Sequence, residues 1–518
     1  MRWKLAGAAL FICSYGVAAT PGDQAKIENG VIRGVISGRV VSYKGIPFAE
    51  PPTRDNRWRP PQPVKNWSGV RAAAEYGPDC MQLPFPSDAA PLGTRPSEDC
   101  LYVNVWAPVE KAGPVPVMVW IYGGGFVNGG SSPAVYDGSH FAERGVVMVS
   151  FNYRVGRFGF FAHPALTKEN PAGPLGNYTF MDQIAALKWV RRNVAAFGGD
   201  PKNVTVFGES AGGDSVLTLL TSPMSKGLFE KAIIESGGGR ANLIPTRHLH
   251  ESLPNSPSGE EVGLAFAKEA GIAGEDKAAL EALRKLPAET LVSGLNMATM
   301  GSKTYAGPML DGKLLVEEPE QALRAGREMK VPIMDGANSM DIGFSFAKTM
   351  DEVFAPFKSD KAEAQAVYNS DHSEDVKAIG YMVAADRMMI EPARFVVQTV
   401  AQRGRPTYEY RFSYVATSMR SQWQGAPHAT EIPFVFDTVA ARYGKDLTSE
   451  DEAVAKATNS YWVNFAKSGN PNGSGLARWP AYKRESDELL NFKKNGSIAE
   501  PDPWKTRLDL TQRVAEAK

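Results

Sequence analysis

The segment on which the fold of this chain depends is Val204-Thr-Val-Phe-Gly-Glu-Ser-Ala-Gly-Gly213. Its first four residues are β-branched or aromatic, which is typical of a short buried strand. Residues 208–212 then fit the pattern Gly-x-Ser-x-Gly, and Ala211 to Thr221 reads as a helix that begins at once. A strand, a sharp turn and a helix in this order are the context of a nucleophile elbow. We therefore interpret Ser210 as a candidate nucleophile.

The neighbours of Ser210 support this interpretation over that of a serine in an ordinary turn. Gly208 and Gly212 leave room where a Cβ would collide with the adjacent strand or helix. The start of the helix places backbone N–H groups and the positive end of a helix dipole beside Ser210. A negative charge that develops on a reacting oxygen would be stabilised there.

A serine hydroxyl needs a base, and the base needs a group that orients it. In folds with this elbow the chain order is Ser, then acid, then His. His428 is the candidate base, because it follows Gly425 and Pro427 in a turn ahead of an apolar segment. The other histidines precede Ser210, follow it too closely, or lie in a polar run: His140, His163, His248, His250 and His372.

The acid is expected just after a strand between Ser210 and His428. Val331 to Gly336 reads as that strand, and Asp341 follows it. Asp335 is an alternative that would fall within the strand, and Asp311 is a weaker one. We predict that Asp341 is the acid, against the possibility that it only caps a helix.

A second glycine-rich turn, Gly123-Gly-Gly125, follows the apolar segment Val115 to Tyr122. Adjacent glycines let backbone N–H groups turn toward a tetrahedral oxyanion, and the amide of Ala211 would add a third donor. A flexible turn is the alternative interpretation. A strand, three glycines and a later elbow together favour an oxyanion hole.

Strands alternate with helices along the 518 residues, which predicts an α/β fold with a mainly parallel sheet and helices on both faces. We expect one catalytic domain over residues 20–518, with helical cap insertions at about 240–330 and 345–404. Lys and Arg (57) balance Asp and Glu (57), which gives no sign of nucleic-acid binding. No oligomeric state is implied.

Residues 1–19 read as a signal peptide with cleavage near Ala19, which predicts a secreted or periplasmic protein. No later segment is long and apolar enough to span a membrane. Cys80 and Cys100 remain after cleavage, and a lone pair in an exported protein favours a disulfide over free thiols. No cluster of Cys or His has the spacing of metal ligands, so no metal site is expected.

The chain resembles the type-B carboxylesterases, a family of α/β-hydrolases that also contains the cholinesterases. The resemblance covers nearly all of the mature chain and rests on seven motifs: Gly45-Ile-Pro-Phe-Ala-Glu-Pro-Pro52, Ser97-Glu-Asp-Cys-Leu-Tyr102, Tyr122-Gly-Gly-Gly-Phe126, Asn152-Tyr-Arg-Val155, Asp182-Gln183, Ala196-Phe-Gly-Gly-Asp-Pro201 and Phe207-Gly-Glu-Ser-Ala-Gly-Gly213. It implies hydrolysis of a small-molecule ester without a cofactor.

By this resemblance Ser210 is the nucleophile and His428 the base. The oxyanion hole is Gly124, Gly125 and Ala211, and Cys80–Cys100 is the family's first disulfide. The family usually has Glu as the acid in an Asp-Glu-Gly setting, where this chain has Asp341. Between the two cysteines there is no Trp to match the choline-binding residue, and no cysteine follows Cys100, which argues against a cholinesterase.

Three alternative functions are weighed against general ester hydrolysis. A non-catalytic binding protein, like the family's adhesion relatives, would lack the Ser or His. A lipase would need an apolar lid, and residues 83–92 are only moderately apolar. A detoxifying esterase that removes polycarboxylic acyl groups, as the bacterial fumonisin esterases do, would need cations in the acyl pocket, for which Arg157 and Arg240 are the candidates.

Overall fold

A computed structural model describes residues 22–85, 90–240 and 246–517. The predicted signal peptide lies outside the described residues. The strands are β1 Gln24–Ile27, β2 Gly30–Arg33, β3 Val35–Ser37, β4 Val40–Pro47, β5 Val70–Ala72, β6 Tyr102–Pro108, β7 Val115–Ile121, β8 Val147–Phe151, β9 Phe160–Phe161, β10 Gly176–Asn177, β11 Gly199–Glu209, β12 Lys231–Glu235, β13 Arg247–His248, β14 Met309–Leu310, β15 Ile333–Asn338, β16 Thr407–Phe412, β17 Glu488–Lys493 and β18 Gly496–Pro501.

The α-helices lie between these strands and after them. They are α1 Ser139–Glu143, α2 Gly156–Gly159, α3 Pro164–Glu169, α4 Tyr178–Asn193, α5 Ala211–Thr221, α6 Gly259–Glu269, α7 Lys277–Lys285, α8 Ala288–Val292, α9 Pro319–Ala325, α10 Met350–Phe354, α11 Lys361–Tyr368, α12 Val376–Ala385, α13 Glu391–Ala401, α14 Ile432–Val435, α15 Val439–Tyr443, α16 Ser449–Ser468 and α17 Lys505–Glu516. No helix in the described ranges has the length and apolarity needed to cross a bilayer.

An eleven-stranded sheet forms the centre of the protein, in the order β18-β17-β16-β15-β12-β11-β7-β8-β6-β4-β3. The strands from β17 to β8 in this order run parallel, and the pairs nearer each edge are antiparallel. The predicted α/β-hydrolase architecture is confirmed. After β7 the chain continues to β8 on one side and later to β11 on the other, and such a reversal of strand order is where α/β sheets bind ligands.

The central strands are buried on both faces because helices cover the sheet. Residues 117–121 of β7 and 147–149 of β8 have no exposed surface. Such strands read as continuous apolar runs, which is why β7 and β11 could be located from the sequence. The predicted elbow helix coincides with α5, Ala211–Thr221.

One local prediction was wrong. Residues 246–330 are less helical than predicted. There the short helices α6 to α9 are joined by loops, and β13 pairs with β14.

Candidate active site

Ser210 lies on the sharp turn between β11 and α5. Its backbone has φ +56° and ψ −123°, a conformation that few non-glycine residues adopt. The turn fits only because its neighbours are small: a Cβ on Gly212 would lie 2.0 Å from the carbonyl oxygen of Ile121. The amide of Ser210 donates to the carbonyl of Glu235 at 2.9 Å, which fixes the turn to β12. Strain of this kind is held by the surrounding structure and is typical of functional sites.

Asp341 and His428 are brought together beyond the carboxyl end of β15. Nδ1 of His428 lies 2.6 Å from Oδ1 of Asp341. The other carboxylate oxygen accepts hydrogen bonds from Oγ of Ser236 at 2.7 Å and from the amide of Asn338 at 2.9 Å. Burial alone would raise the pKa of Asp341, but the charge of His428 and these hydrogen bonds lower it below its usual value. Asp341 is therefore held as a carboxylate.

The turn that carries His428 is fastened to the loop after β15. The amide of Met340 donates to the carbonyl of Ala426 at 2.9 Å, and Nδ2 of Asn338 donates to the carbonyl of Pro427 at 2.7 Å. These contacts join residues that are distant in sequence on either side of the Asp341–His428 pair. They fix the position of the imidazole relative to its acid partner.

Glu209, which the sequence analysis did not select, also meets His428. Its Oε1 lies 3.0 Å from Nε2 of the imidazole, and its side chain is 3% exposed. Burial lowers the pKa of His428, but the charges of Glu209 and Asp341 more than reverse this effect, so the pKa is raised. The only signal in the sequence was the position of Glu209 directly before Ser210. This arrangement favours the imidazolium form of His428.

Glu431 is a second buried carboxyl group near His428 that sequence reasoning missed. It accepts a hydrogen bond from Nδ2 of Asn338. Burial raises its pKa to about 7, against the lowering effect of the charge on His428. The site therefore surrounds one imidazole with several acidic groups.

The three consecutive glycines line the same cavity as Ser210 and His428. Gly124 and Gly125 have φ +105° and +61°, which other residues rarely adopt. A Cβ on Gly124 would lie 2.3 Å from the carbonyl oxygen of Asn128, and a Cβ on Gly123 would lie 2.9 Å from Cβ of Ser210. Ala211 is the first residue of α5, on the other side of Ser210. Gly124 and Gly125 therefore line the cavity with Ser210, and Ala211 follows Ser210 directly.

The cavity has a volume of about 420 Å³ and an apolar wall. Apolar and aromatic side chains that line it include Phe85, Val135, Tyr136, Met297, Met300 and Phe344. Arg442 also lines it, whereas Arg157 and Arg240 do not. Arg157 donates to the carbonyls of Thr304 and Leu291, and Arg240 is ion-paired with Glu391 and Glu320. Arg157 and Arg240, the candidate cations for a polycarboxylate pocket, therefore do not line the cavity, because cap carbonyls and carboxylates take up their donors.

The remaining predicted residues lie away from the cavity. His140 and His250 pair with the surface acids Glu143 and Glu260, His163 caps α3, and His372 is exposed. Cys80 and Cys100 form a disulfide, as expected. Asp335 lies within β15, as the sequence indicated for this alternative acid.

Comparison with known proteins identifies relatives over most of the chain. Residues 22–378 and 361–510 match the model of the carboxylesterase family. Fumonisin B1 esterase of Sphingopyxis macrogoltabida is 37% identical over 490 residues, which cover 90% of this chain and 85% of that protein. Para-nitrobenzyl esterase of Bacillus subtilis (strain 168) is 36% identical over 497 residues, which cover 92% of this chain and 96% of that protein.

A solved structure of PNB esterase superposes with a TM-score of 0.79 at 32% identity, covering 94% of this chain and 99% of that one. The family match extends over both the sheet and the segments that carry Ser210, Asp341 and His428. These relatives are named as esterases, in agreement with hydrolysis of small-molecule esters and against a non-catalytic binding protein. The chain belongs to the carboxylesterase family and is a carboxylic ester hydrolase.

Proposed function

We propose that Ser210, His428 and Asp341 act as nucleophile, base and orienting acid in ester hydrolysis through an acyl-enzyme. The observation that carries this proposal is the 2.6 Å contact between Nδ1 of His428 and Asp341, in an imidazole that lines the same cavity as Ser210. A carboxylate on Nδ1 fixes the tautomer and stabilises the imidazolium that forms during reaction.

The reaction has two steps. In the first, Oγ of Ser210 attacks the ester carbonyl carbon while Nε2 of His428 takes the hydroxyl proton. The tetrahedral intermediate collapses, and His428 gives the proton to the departing alcohol, which leaves Ser210 acylated. In the second, water attacks the acyl group while His428 takes one of its protons, and His428 then gives this proton to Oγ of Ser210 as the carboxylic acid departs.

We assign the oxyanion hole to the amides of Gly124, Gly125 and Ala211. One such donor is worth roughly 2.7–4 kcal/mol of transition-state stabilisation. The positive φ angles of both glycines support the assignment, since they free the loop to turn its amides toward Ser210. The negative charge then forms at the start of α5, where the helix dipole is favourable.

For the base to work, Nε2 of His428 must exchange its contact with Glu209 for one with Ser210. The charge of Glu209 raises the pKa of His428 and so favours the protonated imidazole in the free enzyme. We infer that ester binding displaces this contact and leaves Glu209 as a nearby negative charge that stabilises the imidazolium of the transition state.

Hydrolysis of p-nitrophenyl esters from acetate to palmitate by the mature protein and by Ser210→Ala tests the proposal. We expect turnover in the wild type and a loss of more than about 10⁴-fold in the variant. Ser222→Ala, which changes a serine of the same strand–helix unit outside the cavity, is the matched control. Full activity in Ser210→Ala would overturn the proposal.

A polycarboxylate ester is a second candidate substrate. The 37% identity to a fumonisin B1 esterase and the presence of Arg442 at the cavity favour it. An anionic acyl group would be attracted by this guanidinium. Arg442→Gln should lower kcat/KM for monoesters of dicarboxylic acids about tenfold relative to neutral esters of equal length. An unchanged ratio would remove this candidate.

We also propose that the protein is exported and that residues 20–518 form one catalytic domain with cap insertions. The disulfide supports an oxidising compartment. The contact of Met300 with the glycine turn supports a cap, since its Sδ would be 3.1 Å from a Cβ on Gly125. N-terminal sequencing of the protein recovered from the periplasm or medium would test the cleavage near Ala19.

A further inference from the structure

Two phenylalanines in the segment after Asp341 are exposed. Phe346 is 91% exposed and Phe344 is 54% exposed, the two highest values among the large apolar side chains of the described residues. Phe344 also lines the cavity. Burial of apolar surface stabilises a protein or complex by about 25 cal/mol per Å², and an exposed aromatic ring does not contribute this free energy. Apolar surface at the edge of a pocket therefore marks an interaction site.

The segment that carries them is fixed at both ends. Ile342 packs with a buried cluster that includes Met389 and Leu508, and Ala347 packs with another that includes Phe354. Phe346 is thus exposed in a segment that is packed on both sides of it, and not in a loose chain end.

The same segment determines where the two rings point. A Cβ on Gly343 would lie 2.3 Å from the carbonyl oxygen of Tyr381 in α12, and a Cβ on Gly380 would lie 3.0 Å from Cβ of Ser345. Residues 343 and 345 therefore face α12. Phe344, between these two residues, lines the cavity, and Phe346, directly after them, is exposed, so both rings present surface away from α12.

This wall of the cavity belongs to the His428 side of the site. The amide of Ile342 donates to Oδ1 of Asp341 at 2.8 Å, the oxygen that also contacts His428. Because His428 must protonate the departing alcohol, the alcohol group lies on this side. Met297 and Met300 line the cavity beside the glycine turn.

We propose that Phe346, continuing the wall begun by Phe344, binds the outer part of an apolar alcohol group. The substrates are then esters of alcohols too long for the 420 Å³ cavity, whose far end lies on the exposed ring. This inference rests on the proposed roles of Ser210 and His428, which identify the alcohol side.

The test is the ratio of kcat/KM for n-octyl acetate to that for ethyl acetate, measured by pH-stat below the concentration at which the octyl ester aggregates. Phe346→Ala should lower this ratio about fivefold, the range of one aromatic contact. Ile498→Ala, which removes an apolar side chain of 43% exposure on β18, should leave the ratio unchanged. The same variants with ethyl octanoate should show no dependence on Phe346.

An unchanged octyl-to-ethyl ratio in Phe346→Ala would overturn the inference, as would a loss that follows acyl length instead. A wild-type dimer in sedimentation velocity that becomes monomeric in Phe346→Ala with the same ratio would assign the ring to a subunit contact and also overturn it. Full activity of Ser210→Ala would instead refute the proposed mechanism. The two failures are therefore distinguishable.

Discussion

The carboxylate of Glu209 lies 3.0 Å from Nε2 of His428, the nitrogen that we propose accepts the proton of Ser210. The imidazole thus lies between two carboxylates, since Asp341 contacts its other nitrogen at 2.6 Å. Both charges favour the protonated ring, which is inactive as a base. His428 therefore has to lose its proton, or its contact with Glu209, before the free enzyme can react.

Glu209→Gln should move the acidic limb of the kcat/KM profile to lower pH. Glu209 raises the pKa of His428, and the base acts only when neutral, so removing the charge lowers the pH at which activity appears. We expect a shift of about one pH unit. The measurement is kcat/KM for p-nitrophenyl butyrate from pH 4 to 10, with the exposed Glu289→Gln as control. An unmoved limb would contradict the assigned role of Glu209.

Asp341→Asn should reduce kcat about 10⁴-fold, because the amide cannot stabilise the imidazolium and favours the wrong tautomer. Ser236→Ala removes one donor to Asp341 and should cost less than about tenfold. Single-turnover acylation rates and thermal unfolding of both variants separate catalysis from folding. Near-normal acylation by Asp341→Asn would transfer the role to Glu209 or Glu431.

Asp335→Asn should stabilise the protein increasingly as pH rises. Asp335 pairs in register with Glu409 on β16, and both side chains are buried. Burial and the charge of Glu409 raise the pKa of Asp335 well above its usual value.

The stability of the wild type falls as pH rises because the folded protein binds more protons than the unfolded chain. Below about pH 4 the carboxyl is protonated in both states. At higher pH the unfolded chain releases a proton that the folded protein retains, so folding loses up to about 1.4 kcal/mol per pH unit until the folded pKa is reached. The urea midpoints of the wild type and Asp335→Asn should be the same at pH 4. At pH 8 the midpoint of the variant should be higher. Asp446→Asn, exposed near α15, should follow the wild type.

Replacing Cys80 and Cys100 together by serine should lower the free energy of unfolding by about 3 kcal/mol on the chain-entropy model. The disulfide spans a sequence separation of 20 residues and is buried. Denaturant midpoints with and without dithiothreitol test this. The reductant should shift the wild type to the value of the double variant and leave the variant unmoved. A wild type insensitive to full reduction would contradict the prediction.

The elbow and its helix could be predicted because the local chain decides them. Only glycine fits beside Ile121 at position 212, and this glycine is part of the Gly-x-Ser-x-Gly pattern. His428 and Asp341 could be selected because chain order in this fold restricts the choices. Their contact itself depends on Asn338 and Met340, which hold the His428 turn across a long sequence separation.

The parts that sequence reasoning missed depend on three-dimensional neighbours. Glu209 is an unremarkable acid until its contact with His428 is seen. Arg157 lies two residues after the motif that ends at Val155, which made it a candidate for the pocket. Its guanidinium N–H groups donate instead to carbonyls of the cap. Asp335 appears as one polar residue in an apolar strand, and only the register with β16 shows the carboxyl partner beside it.

The buried guanidinium of Arg157 has a consequence for how substrates reach the site. It donates to the backbone of Leu291, Ser293 and Thr304, and so joins α2 to three points of the segment that carries Met297 and Met300. Swinging that segment aside would strand a desolvated cation, which is costly. We therefore expect this segment to stay in place during turnover, so that it limits the width of the substrates and does not open as a gate.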